Sequence, residues 1–551
     1  MSDVGNLGGV PYIILGSYLA LLLVLGIVGY RRRQEESEED YYLAGRSQGW
    51  VVSSLTIMAT FFSSFALLGA PGMVYRDGVV FALFSLNVPV AGVAIYLLGA
   101  RIRRIGREKG YLTPADMIAD HYGSPVGLRL LVALVGLLYA VPYIVIQIQA
   151  GGILSQQLFP GHNAFEIGAC LLAAITMVYV AVGGMRSVAW TDVIQGGLLV
   201  AGMLLAGIAA VAVLGGPGPF FAAVAALPPK SLSAPGTTGR WTPELLFTAS
   251  LFASLGSMIQ PAQWMRFYAA RSSDVLRRSA LIFAAVLTLC FFFGVMLVGL
   301  GGQVLYPLLD AAGDYRTTAA GAVLPHPDVG STPGEFDQIL VVVLKNHLPE
   351  LLGPAGVILA TLVLVAIMAA AMSTADSNLH ALSALITHDV YDQFLRPEAS
   401  PRERTWVGRG LIAIVPVLAL ILVIVARRSD SNPLGMIVIL GLLAIAFSTQ
   451  LLPMTVDMLY LRLGTRPGAI AGLVTGLATV FLLSPFWSMV AGGAFSGIFG
   501  SMKKMIDIGA WGLLSNATVF VVVSWTGRRN APPAQVPSVV QGARSQVDSA
   551  E

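Results

Sequence analysis

Charge is scarce in this chain. Its 551 residues include 33 Lys and Arg and 30 Asp and Glu, 11% in all, against about 25% in an ordinary soluble domain. The net charge of +3 comes from basic residues gathered in a few short loops, a placement that reads as membrane topology and excludes a nucleic-acid-binding surface. Cysteine is nearly absent. Cys170 and Cys290 both lie in apolar runs, which excludes a disulfide framework or a thiolate metal site and leaves them as packing residues. The six histidines form no paired motif, and without a nucleophile and base set no enzyme is expected. The first apolar run, residues 11–30, lacks a small-residue cleavage site and ends in Arg31, Arg32 and Arg33, so it reads as a retained helix.

What is present is apolar. The chain is 56% hydrophobic with a mean hydropathy of +0.76, and at about 20 apolar residues per crossing it has room for about thirteen spans. The expected fold class is an all-α polytopic membrane protein. Helices are predicted near residues 11–30, 48–75, 79–100, 127–151, 163–182, 188–214, 243–269, 279–301, 354–390, 405–426, 433–462, 467–486 and 507–526. With Arg31 to Arg33 cytoplasmic, alternate crossing puts residues 101–109, Arg186, 271–278, 396–409, 462–466 and Arg528 with Arg529 on the same side. That distribution predicts an external N-terminus and a cytoplasmic C-terminus in the cell membrane. The long loops 215–242 and 302–353 then fall outside, the apolar run 339–343 being expected as a short helix on or dipping into the surface. Residues 528–551 have the composition of a disordered cytoplasmic tail.

Two stretches carry chemistry. Residues 369–391 read AAAMSTADSNLHALSALITHDVY, and in a helix Ala370, Ser373, Thr374 and Ser377 fall at i, i+3, i+4 and i+7, one face of small side chains and hydroxyls. Such a face suits a small hard cation, and it also suits close helix packing. Asp376 on the same stretch costs about 2.5 to 3.5 kcal/mol at membrane depth, which marks function. His380 is the one histidine deep in a helix with acidic neighbours. The second pattern is interruption. ATFFSSFALLGAPG (59–72) puts Ser63, Ser64, Gly69 and Pro71 into one span, and LGSMIQPAQWMRF (255–267) puts Gly256, Gln260 and Pro261 into another. Paired Gly/Pro-interrupted segments point to an inverted repeat whose unwound helices meet at a midplane site.

YYLAGRS (41–47), GAPG (69–72), GGMRSVAWTDVIQ (183–195), QPAQWMRF (260–267) and MSTADSNLHALSALITHDVY (372–391) occur in an order that resembles the sodium:solute symporter family, with its LeuT-type five-plus-five inverted repeat. The resemblance implies an N-terminal region with one extra helix (1–46), a first repeat (47–214), an external loop (215–242), a second repeat (243–466) that includes the external loop 302–353, two further helices (467–527) and the tail (528–551). It implies a sodium site formed by the carbonyls of Ala59, Phe62 and Ala370 with the hydroxyls of Ser373 and Thr374. It also implies a second cation set at Asp192, Ser373, Asp376 and Ser377, where Asp376 departs from the family's hydroxyl. Two aspartates either strengthen a cation site or leave one protonated, and Asp192 reads equally as a helix cap or a partner of Arg186.

Candidate substrate contacts are Phe65, Tyr143, Gln147, Gln260, Gln263 and Trp264. Proline-transporting members carry aromatics at positions matching Phe65, Ala253 and Ser257, and two of the three are lost here. The VPYIVIQ stretch and the first interruption look closer to the pantothenate and monocarboxylate branch. The expectation is therefore sodium-coupled symport of a monocarboxylate-type anion, with more than one coupling cation because one sodium with a monovalent anion moves no net charge. The alternative is sodium- or proton-coupled symport of proline, another amino acid or a sugar. A transport-like membrane sensor is the remote alternative, and the short tail argues against it. The expected partners are a small-molecule substrate, Na+ and the lipid bilayer. No cofactor, nucleic acid or obligate protein partner is expected.

Overall fold

The computed structural model describes residues 7–31, 37–124, 126–159, 161, 163–319, 321–428, 436–487 and 496–529. Arg32, Arg33 and the tail from residue 530 onward, on which two of the sequence expectations fall, lie outside the described residues. The long helices are α1 (Val10–Arg31), α2 (Trp50–Phe61), α3 (Phe65–Asp77), α4 (Val79–Lys109), α5 (Gly127–Leu158), α6 (Ala164–Val213), α7 (Pro243–Ile259), α8 (Pro261–Ala269), α9 (Ser273–Leu305), α10 (Ile339–Leu352), α11 (Pro354–Leu395), α12 (Pro401–Arg428), α13 (Ile437–Leu461), α14 (Arg466–Leu483) and α15 (Ile508–Arg529). Three isolated bridges are the only β pairing among the described residues.

Among the described residues ten helices are long and apolar enough to cross a membrane, and the bent pairs α2–α3 and α7–α8 add two more spans. Helix α6 has 50 residues and a non-helical Gly184 (φ 59), about 75 Å of helix against a hydrocarbon core of about 30 Å. Counted as two crossings, it brings the total to the thirteen expected. Around this bend α1 packs closely on α6, where a Cβ on Gly26 would sit 2.9 Å from Tyr179 and one on Gly29 would sit 2.9 Å from Ser187.

Helix α11 is the centre of the bundle. Residues 363–385 are all buried, and a helix apolar on every side with no exposed stripe is one enclosed by other helices. The two bent pairs lie against it and turn by 58° and 51°. Each break is held by side chains. Ser63 Oγ accepts from the Phe65 N–H at 3.1 Å, and Gln147 Oε1 accepts from the Ser64 N–H at 3.2 Å and the Ser64 hydroxyl at 2.7 Å. At the second, Gln260 is extended (ψ 151) ahead of Pro261 and its side chain accepts from Ala262 N–H at 2.7 Å, the conformation a residue before proline prefers.

The first break lies at residues 62–64 and not at the GAPG motif. Residues 69–72 are helical: Gly69 and Ala70 keep right-handed helical angles, and Pro71 lies inside α3 just past the wider π-type turn of residues 65–69. The motif's glycines serve close approach: a Cβ on Gly69 would be 2.7 Å from Val438, and one on Gly72 would be 2.8 Å from the Phe336 carbonyl oxygen. The apolar run 339–343 opens helix α10 and is buried throughout, because it packs beneath the ends of α3 and α9 and does not lie on the surface.

Asp337, just before α10, fastens this cover to the bundle by accepting from the Ile437 N–H at the start of α13, at 2.9 Å. Burial pushes its carboxyl up to about 7, outweighing the Ile437 hydrogen bond and the charge of Arg76. The folded state therefore keeps a proton that the unfolded chain releases near pH 4, so stability falls as pH rises through the window between. Scans of the melting temperature against pH are expected to show that decline, at most about 1.4 kcal/mol per pH unit, and Asp337→Asn is expected to flatten it.

Candidate functional site

The hydroxyl row of α11 faces the broken end of α2. Ser373 Oγ and Thr374 Oγ1 each donate to the Ala59 carbonyl at 3.1 Å, and Ser373 Oγ also lies 3.1 Å from the Ala370 carbonyl. Four of the five expected sodium ligands thus converge, and all are buried. Phe62, the fifth, caps α2 with a non-helical ψ of 89, which turns the chain out of the helix just beyond Ala59. Oxygens bound to one hard cation at about 2.4 Å and near right angles lie about 3.4 Å apart. A small shift and rotation of the two hydroxyl protons would turn this cluster into a ligand shell.

One turn along α11, the second cation set gathers around a residue the sequence reading missed. The Arg266 guanidinium, from α8, places Nη2 3.0 Å from Asp192 Oδ2 and 2.5 Å from Ser377 Oγ, while its Nε and Nη1 reach the carbonyls of Thr56 and Ala262 at 3.3 Å. Asp376 accepts from the Tyr179 hydroxyl at 2.7 Å and from Ser377 at 3.1 Å. Arg186, which one reading of the sequence offered as a partner for Asp192, is paired with Asp40. The Arg266 guanidinium therefore pairs with Asp192 and is linked to Asp376 through Ser377, in a region where none of the three charged groups is more than 2% exposed. His380 sits apart from this set, its Nε2 3.3 Å from the Tyr42 carbonyl and its ring against Tyr41 and Tyr42.

Between the two breaks lies a cavity of about 20 Å3 whose wall includes Phe65, Tyr143 and Gln260, three of the expected substrate contacts. Ala253 and Ser257 also line it. Gln147 stands behind, holding Ser64; Gln263 donates to the Ile57 carbonyl at 3.2 Å, tying α8 to α2, and Trp264 is fully buried away from the cavity. Of the rest of the wall, Phe84, Asn87, Tyr139 and Phe291 went unread in the sequence. Two signals were available: Tyr139 lies one helical turn before Tyr143 and stacks on it at 4.9 Å, and Asn87 is an amide in an apolar run.

At the arginine-rich end, Arg129 joins Asp116 and Asp389 at 2.7 and 2.5 Å, with His388 on Asp116 at 3.1 Å. Burial would raise the Asp116 carboxyl, but the hydrogen bond and charge of His388 and the charge of Arg129 together hold it well below the ordinary range. This cluster braces α5 and α11 against the short helix Pro114–His121.

The sequence pattern of the sodium:solute symporter family matches residues 41–476. The sodium/proline symporter of Salmonella typhimurium is 27% identical over 496 residues, covering 89% of this chain and 91% of that protein. The sodium/pantothenate symporter of Haemophilus influenzae is 26% identical, covering 87% and 91%. Among solved structures, a sodium-coupled sialic acid symporter in its substrate-bound outward-open state superposes with a TM-score of 0.73 at 19% identity, covering 96% of this chain and 100% of the other. At that identity the likeness establishes the fold.

Removing one partner of a buried ion pair costs about 3 to 5 kcal/mol. Arg266→Gln is therefore expected to lower thermal stability markedly, and adding Asp192→Asn is expected to recover a large part of the loss. Melting temperatures of the two single variants and the double variant check the coupling.

Proposed function

The chain belongs to the sodium:solute symporter family, and we propose from that premise that the solute it carries with sodium is proline or a closely related small amino acid. The observation that carries the sodium half is the meeting of Ala59, Ser373 and Thr374 at one point. The solute half rests on the cavity between the breaks, which has aromatic and neutral polar walls and no charged side chain. A zwitterion, neutral overall, suits such a wall better than a bare anion, which would want a cationic side chain. Its carboxylate would lie toward the positive N-terminal ends of α3 and α8. The likeness to proline symporters supports the same choice over the monocarboxylate read from the sequence. The aromatic positions lost at Ala253 and Ser257 are offset by Phe84, Tyr139, Tyr143 and Phe291 around the same space.

A second reading is a longer solute of the pantothenate kind. Ala253 and Ser257 favour it, since small residues there leave room that aromatic rings would fill.

Sodium-driven uptake of labelled proline, pantothenate and a short monocarboxylate into proteoliposomes separates these readings. Proline is expected to accumulate only with a sodium gradient. Ser373→Ala and Thr374→Ala are each expected to raise the sodium concentration for half-maximal uptake about tenfold, or about 1.4 kcal/mol, with solute preference unchanged. Wild-type sodium affinity in both variants would remove the site assignment.

A second coupling cation, a sodium ion or a proton, is proposed at Asp376, because Arg266 already offsets the charge of Asp192. With a zwitterionic solute, each cation moves one charge and gains about 2.3 kcal/mol per 100 mV. Current and uptake measured together are expected to give about two charges per solute in the wild type and about one in Asp376→Ala. An unchanged ratio would show that Asp376 carries no coupling ion.

A further inference from the structure

A basic cavity lies away from both breaks. About 540 Å3 in volume, it opens at the arginine-rich ends of α4, α9 and α13 and is lined by Tyr96, Arg101 and Arg104 from α4, Arg277 from α9, and Tyr460 and Arg462 at the end of α13. One acid, Glu108, shares the wall with the four arginines. Arg277 is paired with Asp274 at 3.1 Å, but Arg101, Arg104 and Arg462 have no carboxylate partner among the described residues. The wall is nonetheless built: the Arg101 guanidinium lies 4.0 Å over the Tyr460 ring and donates to the Leu459 carbonyl at 2.9 Å, while the Tyr460 hydroxyl donates to the Leu97 carbonyl at 2.7 Å.

The cavity's flank is apolar. Tyr96, Leu97, Tyr460, Leu461 and Leu463 are each 41–56% exposed around it. Val93 on α4 and Leu281 on α9 continue the exposed aliphatic surface along the two helices, which touch where a Cβ on Gly92 would meet Ala284 at 2.8 Å. Unpaired arginines ringed by tyrosines, with aliphatic surface leading away from them, match a molecule with an anionic head and hydrocarbon chains. The positive-inside rule puts this end of the bundle in the cytoplasmic leaflet, the one rich in anionic lipid.

We propose that this cavity binds the phosphate headgroup of an anionic glycerophospholipid, with the acyl chains laid along the α4–α9 surface. The three helices that meet here also carry Phe84, Asn87, Phe291 and Ile445 into the substrate cavity. A lipid bridging their ends therefore ties together three walls of that cavity.

Thermal unfolding of the purified full chain in detergent, titrated with phosphatidylglycerol, phosphatidylcholine or glycerol phosphate, tests the proposal. Phosphatidylglycerol is expected to stabilise the chain saturably, and phosphatidylcholine and glycerol phosphate are expected to have little effect. Arg104 has no ion pair or hydrogen bond among the described residues, so Arg104→Gln is expected to fold and to weaken phosphatidylglycerol binding about fivefold, the factor of one arginine near a lipid surface. Arg462→Gln is the second variant expected to do so. Arg278→Gln removes the same charge outside the cavity and is expected to bind as the wild type does. Equal weakening in Arg104→Gln and Arg278→Gln would reduce the effect to general attraction by a positive face. Equal stabilisation by phosphatidylcholine, or binding of glycerol phosphate as tight as that of the lipid, would overturn the proposal, the last by revealing a site for soluble anions.

Discussion

A helix broken inside a bilayer leaves backbone groups that lipid cannot satisfy, and each such group costs several kcal/mol unless protein supplies a partner. The site follows from how this chain meets that demand at α2. The Ala59 carbonyl receives two hydroxyls from α11, and the Ser64 N–H receives the Gln147 amide oxygen from α5. The break can exist only where α5 and α11 press against it, which explains why α11 is buried on every side and why small residues run along its hydroxyl face. The same partners make the site reversible. A hydroxyl can donate to Ala59 or, with its proton turned away, offer a lone pair to a cation alongside that carbonyl. At the proposed sodium site the backbone would stay satisfied in both conditions, so an ion would come and go without leaving an orphaned carbonyl.

Charge in the same region obeys a stricter balance. Asp192 and Asp376 are buried with one guanidinium between them and Ser377. The arginine reaches Asp192 and Ser377 from α8, the helix that begins at the second break, so the bend at Gln260 and Pro261 is what delivers the positive charge to α6 and α11. The backbone interruption at α7–α8 thus does electrostatic as well as conformational service. A displacement of α8 relative to α11 would alter the field at Asp376 and the shape of the substrate cavity together, since Gln260 lines that cavity six residues before Arg266. Shared mechanical support of this kind is a physical route by which ion and solute occupancy can depend on each other.

Periodicity and chemistry made part of this legible. Residues at i, i+3, i+4 and i+7 must share a helix face, so Ala370, Ser373, Thr374 and Ser377 announced themselves, and Gln260 before Pro261 could hardly continue a helix. The first break was harder to place. Gly69 and Pro71 are the usual punctuation, yet Pro71 lies within the continuous helix α3 and Gly69 makes way for Val438, while the residues that interrupt the helix, 62–64, are a phenylalanine and two serines that helices accept. Arg266 was passed over because an arginine near the end of a span reads as an anchor at the membrane surface; only the 51° bend turns it inward. The aromatic wall was out of reach for another reason. Phe84, Tyr139 and Phe291 come from three helices far apart in sequence, and one chain gives no measure of which lipid-like faces turn toward each other.

The cavity itself sets the last constraint. At about 20 Å3 it holds little more than a water molecule, whereas small-solute pockets run to about 300 Å3 or more. A solute therefore cannot enter without displacement of the walls, and the walls differ in how firmly they are held. Helices α2 and α8 are pinned to α11 and α6 by the hydroxyl row and by Arg266. Helix α13 is held at one end by the Asp337 contact to Ile437 and at the other by the Arg101 and Tyr460 contacts to α4, with Ile445 facing the cavity between them. Between those ends Ser448 and Thr449 donate to the Gly256 and Phe252 carbonyls of α7 at 3.0 and 3.3 Å, and a Cβ on Gly256 would lie 2.0 Å from Thr449, so α13 is held to α7 along its middle as well. The residues of the proposed sodium site belong to α2 and α11, so a displacement of the α7–α13 pair would widen the cavity without parting those ligands.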